Sequence, residues 1–111
     1  MASRREKLQN DARTRVLRLV SENPHLSTRQ VANAVGISNG SAYYLLTALV
    51  EKGFVKLENF KNSSRKGQYA YLLTSRGIRE KSLLTQRFIE RKREEFEELR
   101  VEIEALEKEM S

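Results

Sequence analysis

Apolar residues recur at helical spacing in four stretches of the chain, and between the third and the fourth the period changes to two. Leu8, Ala12, Val16, Leu17, Leu19 and Val20 form a stripe near period 3.6, which predicts a helix over residues 5–22. Pro24 follows just past its end, where a residue without an N–H cannot continue the helix. Ser27-Thr28-Arg29-Gln30 fits a capping box: the Ser27 hydroxyl can accept from the Gln30 amide while the Gln30 side chain returns to the Ser27 amide. The short helix it opens buries Val31, Ala32 and Val35. Gly36 stops that helix in the left-handed conformation, Ile37 plugs the turn, and Ser38 caps the next helix. This third helix turns Ala42, Leu45, Leu46, Leu49 and Val50 inward and ends at Gly53.

Phe54–Phe60 then alternates, with Val55 and Leu57 on one face and Lys56 and Glu58 on the other. A polar, basic loop, residues 61–67, separates it from a second strand-like run, Gln68–Leu73, and the pair reads as a hairpin. Thr74 caps a last helix that runs nearly to Ser111, roughly 54 Å at 1.5 Å per residue. The expected fold is α+β, mostly α: a winged helix-turn-helix (three helices plus a β-hairpin wing) followed by a long C-terminal coiled-coil-like helix. With 111 residues the chain suits one domain with an appendage, residues 1–74 as the winged helix-turn-helix and 75–111 as the long helix.

The third helix carries the candidate chemistry. With Ala42 at 0° and about 100° per residue, its apolar members fall within about 80°, and Gly40, Tyr43, Tyr44, Thr47 and Glu51 lie opposite, with Asn39 and Ser41 in the exposed first turn. A face of this kind suits a major groove. Asn39 can read an adenine edge, Ser41 and Thr47 can bond bases or phosphates, and Gly40 lets the backbone come close. Each tyrosine offers a hydroxyl to phosphate and a ring edge to a thymine methyl. Tyr43 lies nearer the buried arc and suits a packing role equally well, and Ser38 serves as the cap. Amides at the start of the second helix, with Ser27, Thr28 and Arg29, can hold phosphate. The wing tip adds Lys61, Asn62, Ser64, Arg65 and Lys66, which can enter the minor groove or track phosphates. Arg4, Arg5 and Lys7 can supply further phosphate contacts.

Charge supports a polyanion as partner. Residues 1–74 hold 12 Lys/Arg against 5 Asp/Glu, a net of +7. Residues 75–93 carry 7 against 2, a net of +5, and residues 94–111 carry 2 against 8, a net of −6. There is no Cys, which excludes disulfides and thiolate metal sites, and the one histidine, His25, follows Pro24 in a loop with no acidic cluster in sequence. With no nucleophile motif, phosphate-binding glycine loop or metal spacing, the expectation is a protein that is not an enzyme and uses no cofactor or metal. No apolar run approaches the roughly 18 residues of a membrane span, and the opening "MASRREKLQNDAR" is too polar for a secretory signal, so a cytoplasmic protein without a membrane partner is expected.

Along the last helix Ile89, Phe96, Ile103 and Met110 are spaced by seven, with Lys92, Leu99 and Leu106 three residues after them and Thr85 one heptad earlier. This is an a/d seam interrupted at Lys92, and its length favours a second copy of the chain as partner. The candidate dimer interface is Leu84, Phe88, Ile89, Phe96, Leu99, Ile103, Leu106 and Met110. In a parallel pair Glu95 would face Arg100 of the other copy but Glu102 would face Glu107, which leaves the orientation open.

From about Arg13 onward the sequence resembles MarR-type winged-helix regulators, and more narrowly the short bacterial EPS-associated (exopolysaccharide-associated) MarR-family transcriptional regulators. The carriers are "STRQVANAVGISNGSAYYLLTALVEKGFVKLENFKNS" and "YAYLLTSRGIREKSLLTQRFIERKREEFEELRVEIEALE", of which "GFVKLENFKNS…YAYLLTSRGI" is the more specific. The resemblance implies a bacterial transcription regulator acting near polysaccharide-synthesis genes, and the reading of the whole chain is a homodimeric repressor that binds double-stranded DNA sequence-specifically. Set beside ordinary MarR proteins, the sequence is expected to be without their long N-terminal dimerisation helix, and dimerisation is then expected to rest on the C-terminal helix. The rival readings from the residues alone are a winged helix used for protein–protein contact without specific DNA binding, and an RNA-binding module.

Overall fold

The computed structural model describes residues 4–59 and 69–111, together with the backbone but not the side chains of Asn59 and Tyr69. The elements run α1 (Arg4–Glu22), α2 (Thr28–Val35), α3 (Asn39–Glu51), β1 (Val55–Asn59), β2 (Tyr69–Leu73) and α4 (Ser75–Met110). The architecture is the expected one: mostly helical, with a helix-turn-helix, a two-stranded antiparallel wing and a long C-terminal helix.

The boundaries follow from local chemistry. Ser27 accepts from the Gln30 amide at 3.2 Å and the Gln30 side chain accepts from the Ser27 amide at 2.9 Å, so both halves of the capping box form. The turn between α2 and α3 needs a left-handed residue, and Gly36 supplies it at φ 82°. Ser38 accepts from the Ser41 amide at 3.0 Å and opens α3. Gly53, at φ 79°, lets the chain leave α3 and enter β1.

Val16, Leu17 and Val20 of α1 meet Val31 and Ala32 of α2, Ala42, Leu46 and Leu49 of α3, Val55 of β1 and Leu84 of α4 in one core. Leu45 and Val50 line its edge. Two apolar positions depart from expectation. Leu8 belongs by period to the α1 stripe but is 61% exposed, because the core meets only the C-terminal half of that helix. Leu57 pairs with Tyr71 at the middle of the hairpin and stays 44% exposed, whereas Val55, paired with Leu73 at its base, is buried. The middle of β2 is tied to the α1–α2 loop by the Tyr71 amide, which donates to the Pro24 carbonyl at 3.0 Å.

The first half of α4 is bolted to this body. Its cap Thr74 donates through its hydroxyl to the Gly53 carbonyl at 2.6 Å and accepts from the Gly77 amide at 3.0 Å, and the Thr74 amide donates to the Phe54 carbonyl at 3.1 Å. Gly77 rests directly on the backbone of Phe54: a Cβ there would lie 1.9 Å from the Phe54 carbonyl oxygen. Further along, Leu84 enters the core, Phe88 lies between the cations of Arg15 at 5.7 Å and Lys92 at 5.1 Å, and Arg91 forms an ion pair with Asp11 of α1. From Arg93 onward every residue is exposed, and α4 projects away from the body. The radius of gyration, 17.9 Å, shows the projection against about 13 Å for a compact chain of this length.

Candidate nucleic-acid interface

The outward face of α3 is built by the packing of its inward face. Ala42, Leu46 and Leu49 are 0–1% exposed, and their burial fixes the rotation of the helix. The same rotation leaves Tyr43 65% and Tyr44 77% exposed, with Asn39, Gly40 and Ser41 open in the first turn. Tyr43, for which a packing role was the alternative, therefore faces out beside Tyr44. Thr47 is half-buried at the edge of the arc. A Cβ at Gly40 would meet nothing within 4 Å, so the absent side chain leaves open space on the outer surface rather than relieving a contact within the body.

The first turn of α3 is already wired. The Ser38 hydroxyl accepts from the Ser41 amide and donates to the Ser41 hydroxyl at 2.8 Å, which leaves the Ser41 hydroxyl proton for an outside acceptor. Asn39, exposed at the first helical position, carries both a donor and an acceptor, the pair needed for an adenine edge. At the start of α2 the Ser27 hydroxyl is occupied by the Gln30 amide, Thr28 is half-buried and Arg29 is exposed. Of that trio Arg29 is the freest to meet a phosphate.

The wing residues Lys61, Asn62, Ser64, Arg65 and Lys66 lie outside the described residues; β1 and β2 place only the stem from which that loop springs. Of the residues assigned to a partner's surface, Ile89, Phe96, Leu99, Ile103, Leu106 and Met110 are exposed by 44–89%. Leu84 is corrected: at 4% exposure it is a core residue, because the heptad count does not reveal that this side of α4 rests on α1. Phe88 is half-buried between Arg15 and Lys92 and offers only its remaining edge.

The sequence reading missed a cleft of about 810 Å³ between the N-terminal half of α1 and the outer side of α3, where Leu8, Gln9 and Arg13 meet Ser41, Tyr44 and Lys52. Arg13 and Lys52 thereby join the cations near the outward face of α3. No sequence signal marked it: periodicity puts Leu8 in the apolar stripe of α1, and only the structure leaves it 61% exposed at the cleft. Among the described residues no group of three His, Cys, Asp or Glu is placed to hold a metal ion, and no helix is long and apolar enough to cross a membrane.

Residues 9–56 match the model of a family described as winged helix-turn-helix DNA-binding, which covers α1 to the start of β1. No curated protein matches the chain in sequence. Among solved structures, the fold is similar to a MarR/EmrR family transcriptional regulator from Acinetobacter sp. ADP1, with a TM-score of 0.67 at 20% identity over 77% of this chain and 58% of that one. It is also similar to the PcaV transcriptional regulator from Streptomyces coelicolor, TM-score 0.58 at 22% identity over 71% of this chain and 57% of that one. The transcriptional regulator SlyA gives a TM-score of 0.57 at 19% identity over 71% and 54%. The body is thus a winged helix-turn-helix of the shape found in MarR-type regulators, and the chain spans less than two thirds of the length of each of these structures.

Proposed function

We propose that the protein is a sequence-specific, double-stranded-DNA-binding transcriptional regulator that works in the cytoplasm as a homodimer joined through α4, and that it acts as a repressor near polysaccharide-synthesis genes. The observation that carries the DNA-binding reading is the outward face of α3: two tyrosines, Asn39, Gly40 and Ser41 stand exposed on a helix whose other side is sealed into the core. Spending two large aromatic side chains on an open surface costs solubility unless a partner covers them. The net +7 of residues 1–74 favours a polyanion as that partner, and a DNA-binding family model matches residues 9–56 within that segment. The homodimer is supported by the exposed seam from Ile89 to Met110. The narrower role, repression near polysaccharide-synthesis genes, is supported by the resemblance to the EPS-associated group.

On this reading α3 lies in the major groove, with Asn39, Ser41, Tyr44 and Thr47 reading bases and Arg29 and the wing cations holding phosphates. Selection of bound sites from a random duplex pool tests it. The expected result is enrichment of an inverted repeat whose half-sites lie about one helical turn, roughly 10 base pairs, apart. Salt-sensitive binding without enrichment of any sequence would refute specific recognition. Failure to bind duplex at all would favour the protein-contact reading.

A further inference from the structure

We infer that two copies of α4 pair antiparallel along its whole length, so that the acidic distal half of each copy covers the basic proximal half of the other. The inference rests on the proposed homodimer and adds its orientation and register. The exposed apolar seam is longer than the distal heptads. Ile78, 58% exposed, and Ile89, 44% exposed, continue the same a/d spacing back toward the body, on a side of α4 not used by Gly77, Leu84 and Arg91. Ser82 and Thr85 fill the intervening positions with small side chains.

In an antiparallel coiled coil each a residue meets a d residue of the other helix. Centring the two-fold axis at residue 94 puts Ile78 against Met110, Ile89 against Leu99, and the small Ser82 and Thr85 against the large Leu106 and Ile103. Phe96 meets Lys92, whose charge is already held by Phe88, Glu95 and Asp11 of its own chain, so its apolar stem is what it offers the ring.

Charge selects this orientation over the parallel one. A parallel pair lays net −6 from residues 94–111 beside an identical −6. The antiparallel pair lays it against the net +5 of residues 75–93, with Arg79 facing Glu107 on one flank and Lys81 facing Glu109 on the other. The two like-charge contacts it creates, Arg93 with Arg93 and Glu95 with Glu95, occur once each, at exposed positions on the axis. The attraction available to a parallel pair, Glu95 with Arg100, competes with bonds Arg100 already makes to Glu97 and Glu104 of its own helix. In this register the two Leu84 residues, which mark where α4 enters each body, lie about 30 Å apart along the rod, close to one turn of DNA.

The chain has no cysteine, so single-cysteine variants of the full-length protein report proximity cleanly. Under mild oxidation a mixture of Ile78→Cys and Met110→Cys should form a crosslinked dimer that neither variant forms alone. Rapid crosslinking of Met110→Cys to itself would establish the parallel pair and overturn the inference. Wild type that sediments as a dimer with no crosslink in any combination would overturn the register. Monomeric wild type would overturn the homodimer as well, while the DNA-binding reading would still be judged by the duplex selection. As a second arm, Arg79→Glu should weaken self-association by about 3–10-fold, and adding Glu107→Arg should restore it. A double variant no better than the single one would count against the antiparallel contact.

Discussion

Replacing Gly77 by alanine sets two physical effects of opposite sign against each other. Gly77 lies in the first turn of α4, where helix propensity favours alanine by about 1 kcal/mol. The structure argues the other way. The new Cβ would sit 1.9 Å from the Phe54 carbonyl oxygen, so α4 must withdraw by more than about 1 Å to restore an ordinary contact. That movement strains the hydrogen bonds from Thr74 to the carbonyls of Gly53 and Phe54, each worth about 1 kcal/mol, and opens the packing of Leu84. Overpacking against backbone adds about 1–3 kcal/mol. The clash exceeds the propensity gain, and Gly77→Ala should destabilise the protein by about 2–3 kcal/mol. Urea unfolding followed by far-ultraviolet circular dichroism, at one fixed protein concentration, should show the midpoint falling by about 1–2 M. Gly40→Ala is the control, since its Cβ meets nothing within 4 Å and its stability should be unchanged or slightly raised. A Gly77→Ala midpoint at or above that of wild type would refute the argument that α4 is seated on the α3–β1 corner by close backbone contact.

Other perturbations test the interface and the dimer. Binding should weaken linearly in log affinity against log salt, with a slope near −0.9 per phosphate neutralised, and Arg65→Ala should lower that slope by about one while sparing sequence preference. Asn39→Ala should cost roughly 1–3 kcal/mol at one base-pair position in a competition assay, and an equal loss on every sequence would make Asn39 a phosphate contact instead. Leu99→Glu with Ile103→Glu should give monomers by sedimentation equilibrium with the winged-helix body still folded, because both residues are exposed in the single chain. Asp11→Asn should leave half-site preference intact but let the protein accept a wider range of half-site separations in a spacer-length series, since it removes the ion pair to Arg91.

Local signals carried most of the fold. The Ser27–Gln30 capping box, the left-handed Gly36 and Gly53 and the caps Ser38 and Thr74 each depend on residues within a few positions, so the element order could be read directly. The outward face of α3 was legible for the same reason: thirteen residues of helix have one apolar arc and therefore one polar arc. What escaped depends on neighbours distant in the chain. Periodicity says that Leu8 and Leu84 each belong to an apolar face, but not which element arrives to cover it, so one was assigned to the core and is exposed while the other was assigned to a partner and is buried. The seating of Gly77 on Phe54 and the pairing of Asp11 with Arg91 join residues 23 and 80 positions apart, which no spacing rule reaches.

That ion pair sets a mechanical tolerance. If the winged-helix body rocks on α4 about the Gly77–Phe54 contact, the Asp11–Arg91 link lies about 21 Å along the helix from the pivot. A swing of about 10° would displace one partner past the other by about 4 Å, enough to part the ions and slightly more than the 3.4 Å rise of one DNA base pair. Asn39, at the far end of α3, stands about 20 Å from the same pivot, so on the proposed DNA-binding reading the same swing would shift it by about one base pair. If the proposed dimer reads two half-sites, so little play would make it measure the length of the spacer as well as the letters on either side of it.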